Sequence, residues 1–264
     1  MCTIVSAFFD INRDKNGDGR SIEEYKEWIK LTLQLNCNLF IITEEKFKDF
    51  FLTYRPKSLM SKTHIHIIDF KESFYYKYYD NIKQILESDY YKNKIKDPNR
   101  VECKMPEYNI IQYSKFYYLK VAIELNIFKT DYFLWADAGI SRFFLDVNLN
   151  IEYPSKNGLS VLKSNHDKFI IQNRFDIDYY NIDDSFIWKS DNLLYGTMFG
   201  GTSYIINIIS ELINNIFINQ MLANNNVNNE QLALALVYNS NKHLFNLVNN
   251  CTYNHLILFK YLAL

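Results

Sequence analysis

The four cysteines of this sequence are scattered, at positions 2, 37, 103 and 251. They form no C-x-x-C pair, and no histidines follow them at zinc-finger spacing, so the sequence predicts neither a disulfide framework nor a structural zinc site. This use of cysteine is typical of a reducing compartment, and we expect a cytoplasmic protein. Thr3–Phe9 is expected to be a first strand rather than part of a signal peptide, because no charged segment precedes a long apolar stretch.

The sequence also lacks an excess of charge of either sign. Lysine and arginine number 29 against 30 acidic residues, which leaves a formal net charge of -1. No global basic field exists to attract nucleic acid, so we expect no nucleic-acid partner and a local site for any anion.

Long uninterrupted apolar runs are missing too. The most apolar segment, Tyr204–Ala223, contains seven polar or charged side chains, which argues against a membrane span and leaves only peripheral membrane contact open. Glycine (7) and proline (4) are scarce beside 21 tyrosines, a bias to which we attach no functional meaning.

The composition is otherwise that of a folded protein, with 48% hydrophobic and 22% charged residues. The length allows one large α/β domain or two small ones, and the absence of a repeat or a linker favours one domain over residues 1–264. Strand-like and helical segments alternate, which predicts a mainly parallel sheet with helices on its faces.

The segments are read from apolar periodicity and from helix start signals, such as the capping box of Ser21 and Glu24. The predicted strands are Thr3–Phe9, Asn38–Ile42, Ile65–Phe70, Tyr132–Ala136 and Phe169–Ile171. The predicted helices are Ser21–Leu35, one beginning at Thr43, Ser73–Tyr91, Glu107–Asn126, Ser203–Met221 and one beginning near Asn229. Lys92–Met105 is interpreted as a surface excursion, and Met198–Gly201 as a turn before a helix.

Asp137 is the strongest candidate for a functional residue. It directly follows the apolar strand Tyr132–Ala136, and open α/β sheets bind ligands at the carboxyl ends of such strands. A carboxylate there can hold a divalent cation that carries a diphosphate, or accept a hydrogen bond from a ribose hydroxyl. The alternative is an aspartate that begins a turn with Gly139.

Lys115 interrupts the apolar stripe of its predicted helix, between Ile111 and Leu119. Either it binds a phosphate or a sugar, or it extends from the edge of the stripe to water. If it binds a ligand, replacing it with methionine should lower kcat/KM about 10²-fold or more and weaken nucleotide binding while stability barely changes. Arg142 is a second cation near Asp137 that could share the task.

Two further segments carry polar groups next to a predicted helix. Gly200 and Gly201 would let backbone N–H groups approach a substrate, or would simply form a turn. Glu230 and Gln231 lie in a first helical turn, where an acid is also favoured by the helix dipole.

Two apparent metal motifs are discounted. Asp14–Gly19 begins like a calcium loop, but the twelfth position is Tyr25 instead of glutamate, so we expect a flexible loop. His64 and His66 share one face of a strand, without a third ligand close in sequence.

Several of these segments together resemble the WlaTC/HtrL/YibB family. The resemblance runs from Thr3 to about Leu236 and is carried by the following segments: Thr3–Arg13, Arg20–Ser21 with Tyr25, Pro106–Asn109, Gln112–Phe116, Trp135–Phe143 and Phe199–Gly201. It implies a GT-A-like glycosyltransferase, with a Rossmann-type mixed sheet flanked by helices, which acts in polysaccharide biosynthesis.

The resemblance also assigns roles to residues. The nucleotide would be bound by Ala7, Phe8, Asp10, Arg13, Lys115, Trp135 and Asp137. From their positions in the sequence rather than from the resemblance, the candidates for contact with the donor or acceptor sugar are Arg142, Gly200, Gly201, Glu230 and Gln231. Asp137, Lys115 and Glu230 are the catalytic candidates, with Glu230 assigned to acceptor activation. Asp137 matches the first acid of a D-x-D motif, but Gly139 stands in place of the second, which is commonly the main metal ligand. Asp137 with His243 or His255 would then bind Mn²⁺ or Mg²⁺, or Lys115 and Arg142 would neutralise the leaving group without metal.

The sequence therefore predicts a transferase that moves a sugar from a nucleotide diphosphate donor, expected to be a UDP-sugar, to a hydroxyl of a glycan or glycolipid. Two alternatives stay open at this point: a nucleotidyltransferase that acts on sugar phosphates, and a non-catalytic nucleotide-sugar-binding protein.

Overall fold

Seven strands form one mixed sheet in the computed structural model, which describes residues 1–144, 147–249 and 254–264. The strands are β1 Cys2–Phe8, β2 Asn38–Thr43, β3 Thr63–Ile67, β4 Tyr132–Ala136, β5 Phe169–Asn173, β6 Leu194–Thr202 and β7 Phe245–Val248. Their order across the sheet is β3-β2-β1-β4-β6-β5-β7. The first four strands in this order run parallel to one another, β6 is antiparallel to β4 and β5, and β7 is parallel to β5.

Helices cover both faces of the sheet. They are α1 Arg13–Asn16, α2 Ile22–Thr32, α3 Lys48–Tyr54, α4 Tyr79–Glu87, α5 Asp89–Lys94, α6 Pro106–Leu125, α7 Lys156–Ser164, α8 Ser203–Asn215, α9 Glu230–Ser240 and α10 Ile257–Ala263. The capping box predicted for Ser21 is confirmed, since the side chains and backbone N–H groups of Ser21 and Glu24 bond reciprocally.

Successive residues of each central strand enter different apolar clusters, one on each face of the sheet. In β1, Ile4 belongs to the cluster beneath α2, α7 and α10, whereas Val5 belongs to the cluster beneath α6, α8 and α9. A strand that is buried on both sides needs apolar side chains throughout, which is why β1, β2 and β4 read as continuous apolar runs. The predicted fold class, a single α/β domain with a mixed sheet flanked by helices, is confirmed.

The chain changes direction across the sheet at β1. From β1 it continues through β2 to β3 on one side, and β4 then pairs with the other side of β1. The segments that leave the carboxyl ends of β1 and β4 therefore run to opposite sides. This topological switch point is where open α/β sheets leave a crevice for a ligand.

The predicted long helix Ser73–Tyr91 is interrupted in the structure. Residues Phe74–Tyr78 form a 3₁₀ turn, α4 ends at Glu87, and α5 begins at Asp89. The break falls at Ser88, whose extended backbone places its hydroxyl to accept a hydrogen bond from the N–H of Tyr91. A serine that caps a new helix competes with continuation of the old one, and this local chemistry was missed.

Met198–Gly201 does not form the predicted turn but lies inside β6, paired with β4. A side chain at position 200 would place its Cβ 2.1 Å from the carbonyl oxygen of Phe133. Gly200 is therefore required by the close approach of two strands. The third strand also begins earlier than predicted, at Thr63 instead of Ile65.

The helical segment Ser203–Asn224 is long and apolar enough by composition to cross a membrane, and it is the one such segment in the described part of the chain. Ile205, Ile209 and Ile213 on one face of it are buried. They belong to the cluster on one face of the sheet, so this face of the segment packs into the core.

Candidate functional site

A cleft opens at the switch point between the carboxyl ends of β1 and β4. Its walls come from the end of β1, from the loop into α2 and the first turn of α2, from the first half of α6, and from the turn after β4. The lining residues are Ala7, Phe8, Phe9, Ile11, Arg13, Arg20, Ile22, Tyr25, Tyr108, Ile111, Gln112, Lys115, Trp135, Asp137, Ala138, Gly139 and Arg142. The structure thus brings together Ala7, Phe8, Arg13, Lys115, Trp135, Asp137 and Arg142, all of which were predicted from the sequence.

Asp137 lies at the base of the cleft with its side chain 30% exposed. Its backbone N–H donates to the carbonyl of Thr197, which fixes the first residue after β4 against β6. The indole N–H of Trp135 donates to Oδ1 at 2.8 Å, and the Lys115 ammonium lies 3.1 Å from the same oxygen. No hydrogen bond to Oδ2 is found within the described ranges, so this oxygen is the one available to a ligand.

The Lys115 ammonium is almost completely buried, with 3% of its side chain exposed. It donates to the carbonyl of Gly196 at 3.0 Å and to Oε1 of Glu230 at 2.7 Å, and it lies over the Trp135 ring at 5.7 Å. With Asp137, three oxygen atoms surround an ammonium that has three hydrogens. The lysine therefore reaches the cleft wall, where its ammonium makes two hydrogen bonds and one further ion-pair contact, all with protein oxygens.

Glu230 lies behind Lys115, outside the lining of the cleft, and its side chain is 0% exposed. Asn229 caps α9 by accepting hydrogen bonds from the N–H groups of Gln231 and Leu232, which places Glu230 at the positive end of the helix dipole. The second carboxylate oxygen, Oε2, is buried without a hydrogen-bond partner in the described structure. An acceptor hydroxyl has no access to this carboxylate.

Gly196 leaves the space that the ion pair between Lys115 and Glu230 requires. A Cβ at this position would lie 2.1 Å from Oε1 of Glu230. The backbone of β6 thus approaches the carboxylate directly, and its carbonyl accepts one hydrogen bond from Lys115. Nothing in the sequence pattern singled out Gly196, because the need for it arises from contact with a helix that begins 34 positions later, at Glu230.

The two charges of the buried pair respond differently to burial. The nearby carboxylates of Asp137 and Glu230 outweigh desolvation at Lys115 and raise the pKa of its ammonium above the usual value. At Glu230 desolvation is the largest effect, and it raises the pKa of the carboxyl above 4.5 although Lys115 opposes the shift.

Three arginines line the mouth of the cleft, and they differ in their partners. Arg13 forms a bidentate pair with Asp18 at 2.7 Å and donates to the Tyr25 hydroxyl. Arg20 lies 3.4 Å from the same aspartate. Arg142 stacks over the Trp28 and Phe143 rings, forms no salt bridge with any described residue, and has a buried Nε without a hydrogen-bond partner. Of these three arginines, Arg142 is thus the one without a carboxylate partner among the described residues, and it has capacity for an anionic ligand.

Other predicted site residues lie away from the cleft lining. Asp10 accepts a hydrogen bond from the N–H of Asn12 and lies 3.7 Å from the Lys46 ammonium. Gly200 and Gly201 are buried in β6, so the prediction that they contact a sugar is not supported by their position. Gln231 follows Glu230 in α9 and is not among the residues that line the cleft.

His255 stacks on Phe143 at 4.3 Å, with the two rings parallel. Burial and the positive charges of Arg174 and Arg142 lower the pKa of its imidazole below 6.5. His243 lies in a 3₁₀ turn before β7.

The described residues include no group of three or more histidine, cysteine, aspartate or glutamate side chains placed to hold a metal. The Lys115 ammonium already lies between the carboxylates of Asp137 and Glu230, and the neighbours of His255 are cationic. The residues present therefore do not fit a resident metal, and a divalent cation would depend on Oδ2 of Asp137 and on ligands from the substrate. The predicted use of Mn²⁺ or Mg²⁺ stays a prediction.

Sequence reasoning did not assign Tyr25, Tyr108 or Gln112 to the site, although each lines the cleft. The Arg13 guanidinium lies 4.7 Å from the Tyr108 ring centroid, so this arginine bridges the start of α6 and the loop after β1. The capping box at Ser21 was the available signal for Tyr25, since it fixes the first turn of α2 at the cleft edge.

The fold and the cleft define an α/β protein with a ligand site at the switch point of its sheet. The family described as "Bacterial protein of unknown function (HtrL_YibB)" matches residues 1–261, and the chain belongs to this family, as the sequence resemblance indicated. Among curated proteins, no sequence matches this one. Among solved structures, a chain titled "PaToxG Glycosyltransferase" is similar with 12% identity and a TM-score of 0.33, over 90% of this chain and 69% of that one.

Proposed function

We propose that this protein is a glycosyltransferase that moves a sugar from a nucleoside diphosphate donor to a hydroxyl of a glycan or glycolipid. The observation that carries the proposal is the position of Asp137. Its free Oδ2 lies at the carboxyl end of β4, in a cleft at the switch point of the sheet. Aromatic side chains and an unpaired arginine line the same cleft, which suits a planar base at one end and a diphosphate at the other.

The roles within the cleft follow from the atoms of each side chain that are not already bonded to the protein. Oδ2 of Asp137 accepts from a hydroxyl of the ribose or the donor sugar, or binds a substrate-bound cation. Arg142 faces the diphosphate, whose negative charge grows as the bond to the sugar breaks. A cation placed there stabilises the transition state more than the ground state.

Lys115 and Glu230 are assigned to positioning rather than to contact with substrate. Both are buried, and the hydrogen bonds of Lys115 end on protein oxygens. Lys115 holds Oδ1 of Asp137 from one side while the Trp135 indole holds it from the other. The carboxylate is thereby oriented before any ligand arrives, which removes part of the cost of ordering it.

Thermal denaturation with a panel of UDP, GDP, TDP and CMP sugars, each with and without Mn²⁺, tests donor binding. A donor at about 100 times its Kd adds roughly 2.7 kcal/mol to the free energy of unfolding, which corresponds to a Tm increase of about 5–10 °C for a chain of this length. A shift that needs Mn²⁺ would show that metal enters with the substrate. If no donor raises the Tm, the proposal is wrong.

The change Asp137→Asn tests the role of the carboxylate in transfer. It keeps an Oδ1 acceptor for Trp135 but removes the charge, and we expect kcat to fall by about 10²–10³ with the fold intact. Asp131→Asn is the matched control, because Asp131 precedes the same strand at its opposite end and is 77% exposed. Hydrolysis of the donor is measured beside transfer. Release of pyrophosphate would indicate nucleotidyl transfer instead, so this product separates the two activities. Normal transfer by Asp137→Asn would remove the residue from the site.

A further inference from the structure

A second group of cationic and aromatic side chains lies beside the cleft, along the same edge of the sheet. Because β6 is antiparallel to both β4 and β5, the carboxyl ends of β4 and β5 and the start of β6 meet at this edge. Arg174 directly follows β5, Tyr195 lies at the start of β6, and Phe143 lies in the turn after β4. Arg174 is thus about two strand spacings, roughly 10 Å, from the end of β4.

The rings of this group, which we call the shelf, are in continuous contact. Phe143 stacks on His255 at 4.3 Å, and His255 meets the Tyr195 ring edge to face at 4.8 Å. A guanidinium lies over each end, Arg142 over Phe143 at 4.5 Å and Arg174 over Tyr195 at 4.6 Å. Arg142 also lines the cleft, so the shelf begins where the cleft ends.

The two guanidinium groups of the shelf are held by stacking and not by carboxylates. No salt bridge joins either of them to an acid in the described ranges, and Nε of each is buried without a hydrogen-bond partner. A guanidinium that stacks on a ring keeps its N–H donors in its own plane, where they can meet a planar or tetrahedral anion. Buried donors without partners carry a desolvation cost that such an anion would relieve.

We propose that Arg174 and His255 of the shelf bind an anionic group of the acceptor, a carboxylate or a phosphate carried on a saccharide, while Arg142 at the inner end of the shelf stays with the donor. That the anionic group belongs to an acceptor rests on the proposed function, whereas the anion site itself does not. A sugar ring can lie along the aromatic side chains while its charged substituent meets Arg174. The acceptor hydroxyl then faces the donor across Arg142.

Calorimetric titration with three methyl glycosides tests this proposal: a glucuronide, a glucoside 6-phosphate and a neutral glucoside, each in the presence of UDP. We expect the two charged glycosides to bind and the neutral one to bind at least about 10-fold more weakly, since a hydrogen bond to a charged group contributes about 1.5–3 kcal/mol. The relative affinities of the two charged glycosides identify whether carboxylate or phosphate is preferred. Equal affinity for all three glycosides would overturn the proposal.

The change Arg174→Gln should lower affinity for the charged glycosides about 10-fold or more and leave UDP affinity unchanged. Arg174→Lys keeps the charge but loses the planar pair of donors, and it should restore only part of the affinity. Lys163→Gln is the control, because it removes one positive charge from an exposed position in α7. If Arg174→Gln does not fold, His255→Gln supplies the second measurement, with the same expected loss.

The two proposals fail in different ways. If no nucleotide binds but charged glycosides still depend on Arg174, the glycosyltransferase proposal fails and the anion site stands. If UDP-sugars bind and react while Arg174→Gln and His255→Gln leave the affinity for charged glycosides unchanged, the shelf is not a binding site.

Discussion

Two cations near Asp137 differ in what surrounds them, and the difference separates architecture from function. Lys115 is buried among three oxygen atoms, and its charge is fully compensated within the protein. Arg142 is held by two rings and has a buried donor without a partner. The lysine drew attention in the sequence because it interrupts an apolar stripe, yet the arginine has the free capacity for a ligand. A charged residue within an apolar stripe therefore indicates a buried and internally paired side chain more directly than it indicates a ligand site.

The largest effect on the free energy of unfolding is expected when Lys115, whose charge is paired within the protein, is replaced. The sequence alone suggested that Lys115→Met would barely change stability, but in the structure the change removes the cation that is paired with the fully buried Glu230 carboxyl. Breaking one half of such a pair costs about 3–5 kcal/mol. Urea denaturation at pH 7 should show this loss for Lys115→Met.

The double variant Lys115→Met with Glu230→Gln is the matched control for that measurement. Because it removes both charges, it should recover a large part of the lost stability. A single variant as stable as the wild type would mean that Glu230 reaches water, contrary to its 0% exposure.

A smaller effect is expected from Gly196→Ala. The added methyl group would lie 2.1 Å from Oε1 of Glu230, so the carboxylate must move away from Lys115. Overpacking of this kind costs about 1–3 kcal/mol, which denaturant titration can resolve. Gly139→Ala is the comparison, because its added methyl group would meet only side chains, with the Trp28 ring at 3.0 Å. An unchanged stability of Gly196→Ala would show that Glu230 tolerates displacement.

The smallest effect concerns pH. Burial raises the pKa of Glu230 above 4.5, and loss of the Lys115 charge should raise it further. An acid with a raised pKa favours the folded state fully below 4.5, and this contribution is lost as pH rises through the folded-state pKa. The free energy of unfolding of Lys115→Met should therefore increase as pH falls from 7 towards 5, by at most about 1.4 kcal/mol per pH unit relative to the wild type. The Lys115→Met, Glu230→Gln double variant should show no such slope relative to the wild type.

The sequence predicted the elements that depend on local patterns. The apolar runs of β1, β2 and β4 identified buried strands, and the capping box at Ser21 identified the start of α2. The strand β6 was missed because its glycines resemble a turn, and their real cause is the approach of Phe133 from β4. β7 was missed because its four residues, Phe245–Val248, are too few to show a clear strand period in the sequence.

The candidate site likewise contains residues that local sequence patterns predict and residues that only long-range contacts reveal. Asp137 was found because it directly follows a predicted strand, and Arg13 and Arg142 because each lies within about six residues of the end of one, where topology places them at the carboxyl edge. The relation between Lys115, Gly196 and Glu230 was out of reach, since it joins a helix, a strand and a second helix at one point in space. The assignment of Glu230 to acceptor activation came from its residue type, and its burial supports a positioning role instead.

The pairing of β1 with β4 has a consequence for how the cleft comes into being. Thr3 and Thr130, whose hydroxyls bond beside these two strands, are 127 positions apart, and the Lys115 to Glu230 contact spans 115 positions. Closing loops of this size costs chain entropy that local helices do not incur, and contacts of such separation slow folding. No fragment of the chain can form either wall of the cleft by itself, so the geometry around Asp137 exists only once the whole chain has folded.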